Sequence, residues 1–326
     1  MQDKYIFEQS SHYRNWRFSK QQLDNLREAI NRKGVENAKA SKKLELQLKQ
    51  EDGLDDNSET LTNAVEHISA KEEQLMVAFY ETKIKDYVKV YRFNKNIGAT
   101  AIIYLKRFYL HNTVLDYHPK QIMLTCLFLA TKVENYYILI ESFTKPLKQI
   151  SPEDVLKFEL LVSQSLGFDF CVKNPYNAIY GYFLDIQEYY DDNSKIAKLY
   201  SGVVSLVETS LYTDCGLMFM PSQIALAVWK IAAKDGALDF DMQVTFPNSE
   251  QLKDLYSILD QIELIISKHT SPEIGMIREI DKKLIYCRNQ AKNPNNIVYK
   301  HLMKQAEENK QKELKKTQSI DEDVFS

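Results

Sequence analysis

The chain has 326 residues, with 42 Lys or Arg against 45 Asp or Glu and a formal net charge of −3. A chain this near neutrality has no strong overall pull toward nucleic acid, and its length favours about two domains over one. With 9 Gly and 8 Pro among 44% hydrophobic and 27% charged residues, the composition is that of a helix-rich globular protein. It speaks against an α/β enzyme built on glycine-rich phosphate loops.

The four cysteines, at 126, 171, 215 and 287, are too far apart for a CxxC zinc pair. Cys126 and Cys171 lie in apolar stretches and read as buried free thiols. No apolar core of a secretory signal opens the chain. The longest apolar stretch, Ile122 to Ala130, is too short to span a bilayer. Nothing in the sequence calls for a cofactor or a metal.

In chain order, Ser19 and Gln22 have capping-box spacing, with Phe18 and Leu23 at the staple positions. They predict a helix from about residue 20 to Lys33, lined by Leu23, Leu26 and Ile30 and stopped by Gly34. Residues 35–67 are polar and read mostly as a surface connection with a short helix near Leu44 to Leu48. Ser69 and Glu72 form a second capping box at the head of a long helix. Further helices are expected over 96–111, 119–134, 138–148 and 152–166, the last opened by Ser151 and Pro152. DFCVKNPY (169–176) reads as an extended connector. Helices resume near Tyr176, a last one follows Ser271-Pro272, and the tail from Lys300 is charged, solvated or partly helical.

An internal repeat organises this series. HPKQIMLTCLFLATK (118–132) aligns without gaps on MPSQIALAVWKIAAK (220–234), at an offset of 102 residues. Pro119, Gln121, Ile122, Leu124, Ala130 and Lys132 match Pro221, Gln223, Ile224, Leu226, Ala232 and Lys234. The shared proline start points to duplication. Both segments are apolar almost all round and carry small residues, so each reads as the buried central helix of its own bundle.

YLKRFYLHNTVLDYHPKQIMLTCLFLATKVEN (104–135), FEQSSHYRNWRFS (7–19) and MPSQIALAVW (220–229) resemble the cyclin family. Within it they resemble most the cyclins of the kinase that activates other cyclin-dependent kinases. The resemblance covers roughly residues 5 to 290. It implies an all-α fold of two tandem five-helix cyclin-box repeats with extra N- and C-terminal helices. The boundaries expected are 1–68 for the N-terminal helix and connection, 69–170 and 171–270 for the two repeats, and 271–326 for the C-terminal helix and charged tail.

Cyclin boxes grip the kinase with a lysine at the end of the third helix and a glutamate in the fifth. The matching residues are Lys132 and Glu159. The apolar pocket that flanks such a pair falls on Leu129, Val133, Phe168 and Phe170. Leu129 and Val133 share a helical face beside Lys132, and Phe168 and Phe170 alternate in the connector. Charge of both signs around an apolar pocket suits one amphipathic partner helix.

The resemblance implies a non-catalytic activator. Its partners would be the catalytic subunit of the cyclin-dependent kinase-activating kinase, a RING-finger assembly subunit and general transcription factor IIH, in the nucleus. No direct contact with nucleic acid or membrane is implied. Cell-cycle cyclins also carry an Arg and an Asp that dock Arg-x-Leu substrates. Here Val77 and Lys106 stand in those places, both members gone together, as the cost of a lone buried charge demands. That points to the transcription-linked branch.

Catalytic signatures such as HExxH, GxSxG or a phosphate loop do not occur. His111, Asp116 and His118 span a helix-to-helix loop and read as surface or capping residues rather than metal ligands. Asp55-Asp56 and Asp191-Asp192 read as solvated turn residues. The competing family is the DNA-binding transcription factor IIB type, which also has two such repeats. It would need a basic stripe and an N-terminal zinc ribbon.

Overall fold

The computed structural model describes residues 6–51, 66–189, 193–236 and 249–324, and all regular structure among them is helical. The first helices are α1 (Ser11–Asn15), α2 (Lys20–Glu51), α3 (Ala70–Tyr91), α4 (Lys95–Phe108) and α5 (Pro119–Val133). Then come α6 (Ile140–Thr144), α7 (Pro152–Leu156), α8 (Glu159–Ser165), α9 (Pro175–Tyr189) and α10 (Asn193–Leu211). The remainder are α11 (Cys215–Met218), α12 (Pro221–Asp235), α13 (Ser249–Ser267), α14 (Ile274–Cys287) and α15 (Ile297–Val324).

The chain forms two compact units. One takes in Met1–Arg27, Gln74–His111 and Pro119–Glu273. Both copies of the internal repeat lie in it, as α5 and α12, each 15 residues long with proline in its first turn. The proline lacks an N–H where the helix has no acceptor to offer and presets φ for the first turn. Every residue of α5 from Ile122 to Thr131 is buried, because α4, α7 and α8 pack around it. In α12, Ile224 to Trp229 and Ala232-Ala233 are buried against α9, α10 and α13. Trp229 is wholly buried and its Nε1 donates to Ile179 O at 3.0 Å, so the indole leaves no polar atom unpaired. Each fully buried Ile, Leu or Phe in these two helices contributes about 1.5–3 kcal/mol.

Before α2 the chain is tied to this unit. Trp16 and Leu23 pack with Leu110 and Leu217, and Phe18 N donates to Leu217 O at 2.8 Å. The Ser19 capping box forms as the spacing predicts: Ser19 N donates to Gln22 Oε1 and Gln22 N to Ser19 Oγ. Ser69 and Glu72 do the same at the head of α3.

The other unit takes in Glu28–Glu73, Asn112–His118 and Ile274–Ser326. Here the structure corrects the expected end of α2. The helix does not stop at Gly34 but runs on to Glu51, through residues read as a surface connection. Gly34 is present for close approach, not for a C-cap: a Cβ there would lie 2.6 Å from Thr113 Cγ2. Thr113 is itself held, donating from Oγ1 to Glu73 Oε1 at 2.7 Å. Residues 52–65, including Asp55-Asp56, lie outside the described residues, as do Asp191-Asp192.

Other expectations need smaller corrections. The helix expected over 152–166 is broken by a turn at Lys157-Phe158, so Glu159 starts a helix of its own. The one expected over 138–148 shrinks to α6. The helix after Pro272 is not the last, since α15 follows it and carries the charged tail. Cys171 is exposed rather than buried, whereas Cys126, Cys215 and Cys287 are buried free thiols.

Candidate partner-binding site

Lys132 is the penultimate residue of α5 and Glu159 the first of α8. These two helices pack together, and their ends bring Lys132 Nζ onto Glu159 Oε1 in a direct ion pair. The break at Lys157-Phe158 matters here. It makes Glu159 a first-turn residue, where the helix dipole favours an acid. The side chains remain 46% and 26% exposed, so their charges are available to a partner. Lys132 Nζ also lies 4.6 Å above the centroid of the Phe128 ring, which fixes its stem over an apolar floor.

Both helices end in the same way. Asn135 adopts φ +57°. Its N–H is bonded to Lys132 O, and that of Tyr136 to Thr131 O at 2.8 Å. At the end of α8, Gly167 has φ +59°, its N–H is bonded to Gln164 O, and that of Phe168 to Ser163 O. These are Schellman caps, which satisfy the last carbonyls and turn the chain sharply outward. Beyond these caps Tyr137 and Leu139 are 87% and 73% exposed and Phe168 58%, and Leu160, next to Glu159 in the chain, is 63% exposed.

The structure thus places the expected pocket residues unequally. Leu129 is buried and contributes only to the floor; Val133 and Phe170 are half-buried; Phe168 projects. The connector is also not extended where it was expected to be. Phe168 sits in the left-handed region at φ +56°, a strained conformation for a bulky residue. Its ring still meets Phe170 edge to face, with centroids 6.2 Å apart.

Surroundings that sequence reasoning missed hold this connector in place. Asp169 accepts hydrogen bonds from Ser11 Oγ and Trp16 Nε1, both at 2.7 Å. Tyr104 Oη donates to Phe170 O. Arg107, fully buried, stacks over Trp16 at 4.6 Å and bonds Asp169 O through Nη1 at 3.4 Å. Burial lowers its pKa to about 10, with Asp169 opposing that shift. The only signal in the sequence was the resemblance of residues 7–19 as a block.

Val77 and Lys106 hold a second surprise. Both are buried. Lys106 has a partner the sequence reading did not identify: its Nζ donates to Glu81 Oε2 at 2.7 Å. The candidate metal ligands have structural partners instead. His111 meets Trp16 edge to face, Asp116 accepts from Asn289 Nδ2 at 2.7 Å and His118 pairs with Asp281 at 3.0 Å.

Two helical repeats with a half-exposed charged pair where the end of α5 meets the start of α8, and exposed apolar residues beyond both helices, define a protein-docking class. Residues 47–171 match the N-terminal domain of cyclins and residues 174–267 the cyclin C-terminal domain. Cyclin-H1-1 of Arabidopsis thaliana is 32% identical over 86% of this chain and 88% of its own length. The chain belongs to the cyclin family. Within the family it is similar to H-type cyclins. Cyclin mcs2 of Schizosaccharomyces pombe is 31% identical over 93% of this chain and 91% of its own. Two solved structures are similar as well. One is in the CAK complex of Chaetomium thermophilum bound to ATP-gamma-S, with a TM-score of 0.78, 26% identity and coverage of 93% and 94%. The other is in the yeast TFIIK (Kin28/Ccl1/Tfb3) complex, with a TM-score of 0.61, 27% identity and coverage of 79% and 99%.

Proposed function

We propose that this chain is the regulatory cyclin of a cyclin-dependent kinase-activating kinase and that it grips the catalytic subunit through Lys132 and Glu159. The observation that carries this reading is the half-exposed ion pair of Lys132 and Glu159, with Leu160 exposed next to it in the chain. An amphipathic kinase helix would lay its apolar stripe on Phe168, Phe170 and Val133, above a floor of Leu129, and set polar groups against the pair. Held there, the kinase's regulatory helix keeps the inward position that sets the Lys–Glu pair orienting the ATP phosphates. The cyclin supplies no catalytic group; it shifts the kinase between two states by binding one of them better.

The similarity to chains of CAK and TFIIK complexes supports a three-chain assembly with a RING-finger subunit, attached to general transcription factor IIH and acting in the nucleus. Co-purification of the tagged chain from its own cells, with mass spectrometry of the bound proteins, tests this. A cyclin-dependent kinase and a RING-finger protein in near-equal amounts are expected. Recovery without any kinase would overturn the reading.

A further inference from the structure

The connector that carries Phe168 and Phe170 is tied down through one carboxylate. Asp169 stands between them in the chain, with its side chain 15% exposed. Its Oδ1 accepts from Ser11 Oγ and its Oδ2 from Trp16 Nε1, both at 2.7 Å. Ser11 is the first residue of α1 and Trp16 follows its last, so the two carboxylate oxygens hold both ends of this short helix. The helix is itself closed: Ser10 Oγ accepts from Tyr13 N at 3.2 Å, and Trp16 N donates to His12 O at 3.1 Å. Behind the carboxylate, Arg107 is wholly buried, with Nη1 3.9 Å from Asp169 Oδ2. Its Nε and Nη2 are buried without a hydrogen-bond partner among the described residues. The guanidinium is therefore met by Asp169 and by the Trp16 ring alongside it.

The backbone held in this way is strained. Phe168 has φ +56°, a conformation that a bulky residue rarely adopts and that persists only where its surroundings over-determine it. The cap at the end of α8 supplies local constraint, through Phe168 N to Ser163 O and Asp169 N to Leu166 O. The ties to distant parts of the chain begin one residue later. They are the two bonds to the Asp169 carboxylate and the bond from Tyr104 Oη to Phe170 O. Asp169 is thus turned onto α1 while the ring just before it stays 58% exposed.

We propose that Asp169 is a positioning residue for kinase docking: through Ser11 and Trp16 it holds Phe168 and Phe170 in the arrangement that meets the kinase helix. This rests on the docking reading above. Asp169 itself touches no kinase group; its effect passes through the two rings. Loss of either bond lets Phe168 relax from its left-handed conformation, and kinase binding must then re-order the connector, which weakens affinity.

The test uses the full-length chain and the purified catalytic subunit of the kinase. Hydrogen exchange of the free chain reads the positioning directly. Trp16→Phe, which keeps a ring beside Arg107 and removes the N–H, and Asp169→Asn should each speed exchange over residues 166–171 about tenfold and leave α5 unchanged. Calorimetry should show kinase affinity falling roughly three- to tenfold in both, the range of one hydrogen bond. On a Phe168→Ala background Trp16→Phe should add little, because the ring it positions is gone. Where either variant fails to fold, Ser11→Ala, at a half-buried residue, gives both readings. A lowered melting temperature with unchanged affinity per folded molecule overturns the proposal. So do unchanged exchange over 166–171 and losses that add in full to that of Phe168→Ala. Lys132→Glu reports on the docking reading by itself. Normal kinase affinity there overturns the site and this proposal with it. Weakened affinity there, beside unchanged affinity in Trp16→Phe and Asp169→Asn, overturns only the role of Asp169.

Discussion

Lys106 Nζ stands 2.7 Å from Glu81 Oε2, with both side chains almost fully buried at 6% and 3% exposure. Glu81 lies one helical turn beyond Val77 on α3, so the charges at this helix crossing are transposed rather than removed: the base is on α4 and the acid on α3. Burial pushes the Glu81 carboxyl above its ordinary range, and Lys106 opposes that shift. The pair joins α3 to α4.

Removing one partner is expected to be worse than removing both. Lys106→Met leaves a buried unpaired carboxylate and should cost about 3–5 kcal/mol, whereas the double variant Lys106→Met, Glu81→Met should recover most of that loss. Urea unfolding of the singles and the double reads this. Single variants within about 1 kcal/mol of wild type would contradict the pairing.

Gly34 gives a prediction with the sign opposite to helix propensity. On an exposed helix Gly→Ala stabilises by about 1 kcal/mol. Here the new methyl meets a Thr113 that is buried and held by Glu73, so Gly34→Ala should destabilise by about 1–3 kcal/mol. A raised melting temperature for this variant would contradict the close approach of α2 to Thr113.

Phe168 should separate stability from binding. Asn tolerates the left-handed conformation that strains a phenylalanine, so Phe168→Asn should raise folding stability by about 1 kcal/mol. The same change removes an exposed apolar ring from the proposed interface and should weaken the kinase. Calorimetric binding beside thermal unfolding checks both; unchanged kinase affinity would remove Phe168 from the site.

Asp214 predicts an acid transition. Burial alone would raise its carboxyl, but the bidentate hydrogen bonds and charge of Arg27, at 2.9 and 2.6 Å, with Lys106 and Lys20 assisting, hold it far below the usual range. A depressed carboxylate pKa contributes stability that is complete above the unfolded value, near pH 4, and is lost as pH falls through the folded one. Asp214→Asn should therefore be less stable than wild type at pH 7, and the gap should shrink below about pH 4. A gap that stays constant with pH would contradict this account.

Much of the fold was legible because its signals are local. Ser19 with Gln22 and Ser69 with Glu72 announce helix starts through side-chain reach alone. The repeat of α5 on α12 announces two buried central helices through composition. What was not legible depends on partners distant in sequence. Gly34 looks like a helix stop until Thr113, 79 positions later by number, is packed on it. Lys106 looks like half of a deleted pair until Glu81 is brought alongside. Phe168 reads as one step of an extended segment because the Schellman cap that turns it outward depends on where α8 ends. The first-repeat pair Lys132 and Glu159 was reached through family resemblance.

The central claim is that Lys132 and Glu159 grip the kinase, and charge reversal tests it most directly. Lys132→Glu and Glu159→Lys, made singly and together, should fold with near wild-type melting temperatures, since exposed pairs contribute little to stability. Each single variant should lose at least about 2 kcal/mol of kinase binding, roughly 25-fold in affinity, with kinase activation falling in step. A lowered melting temperature with normal activation per folded molecule would mean the pair serves the fold alone. Normal kinase affinity and normal activation in both single variants would contradict the account.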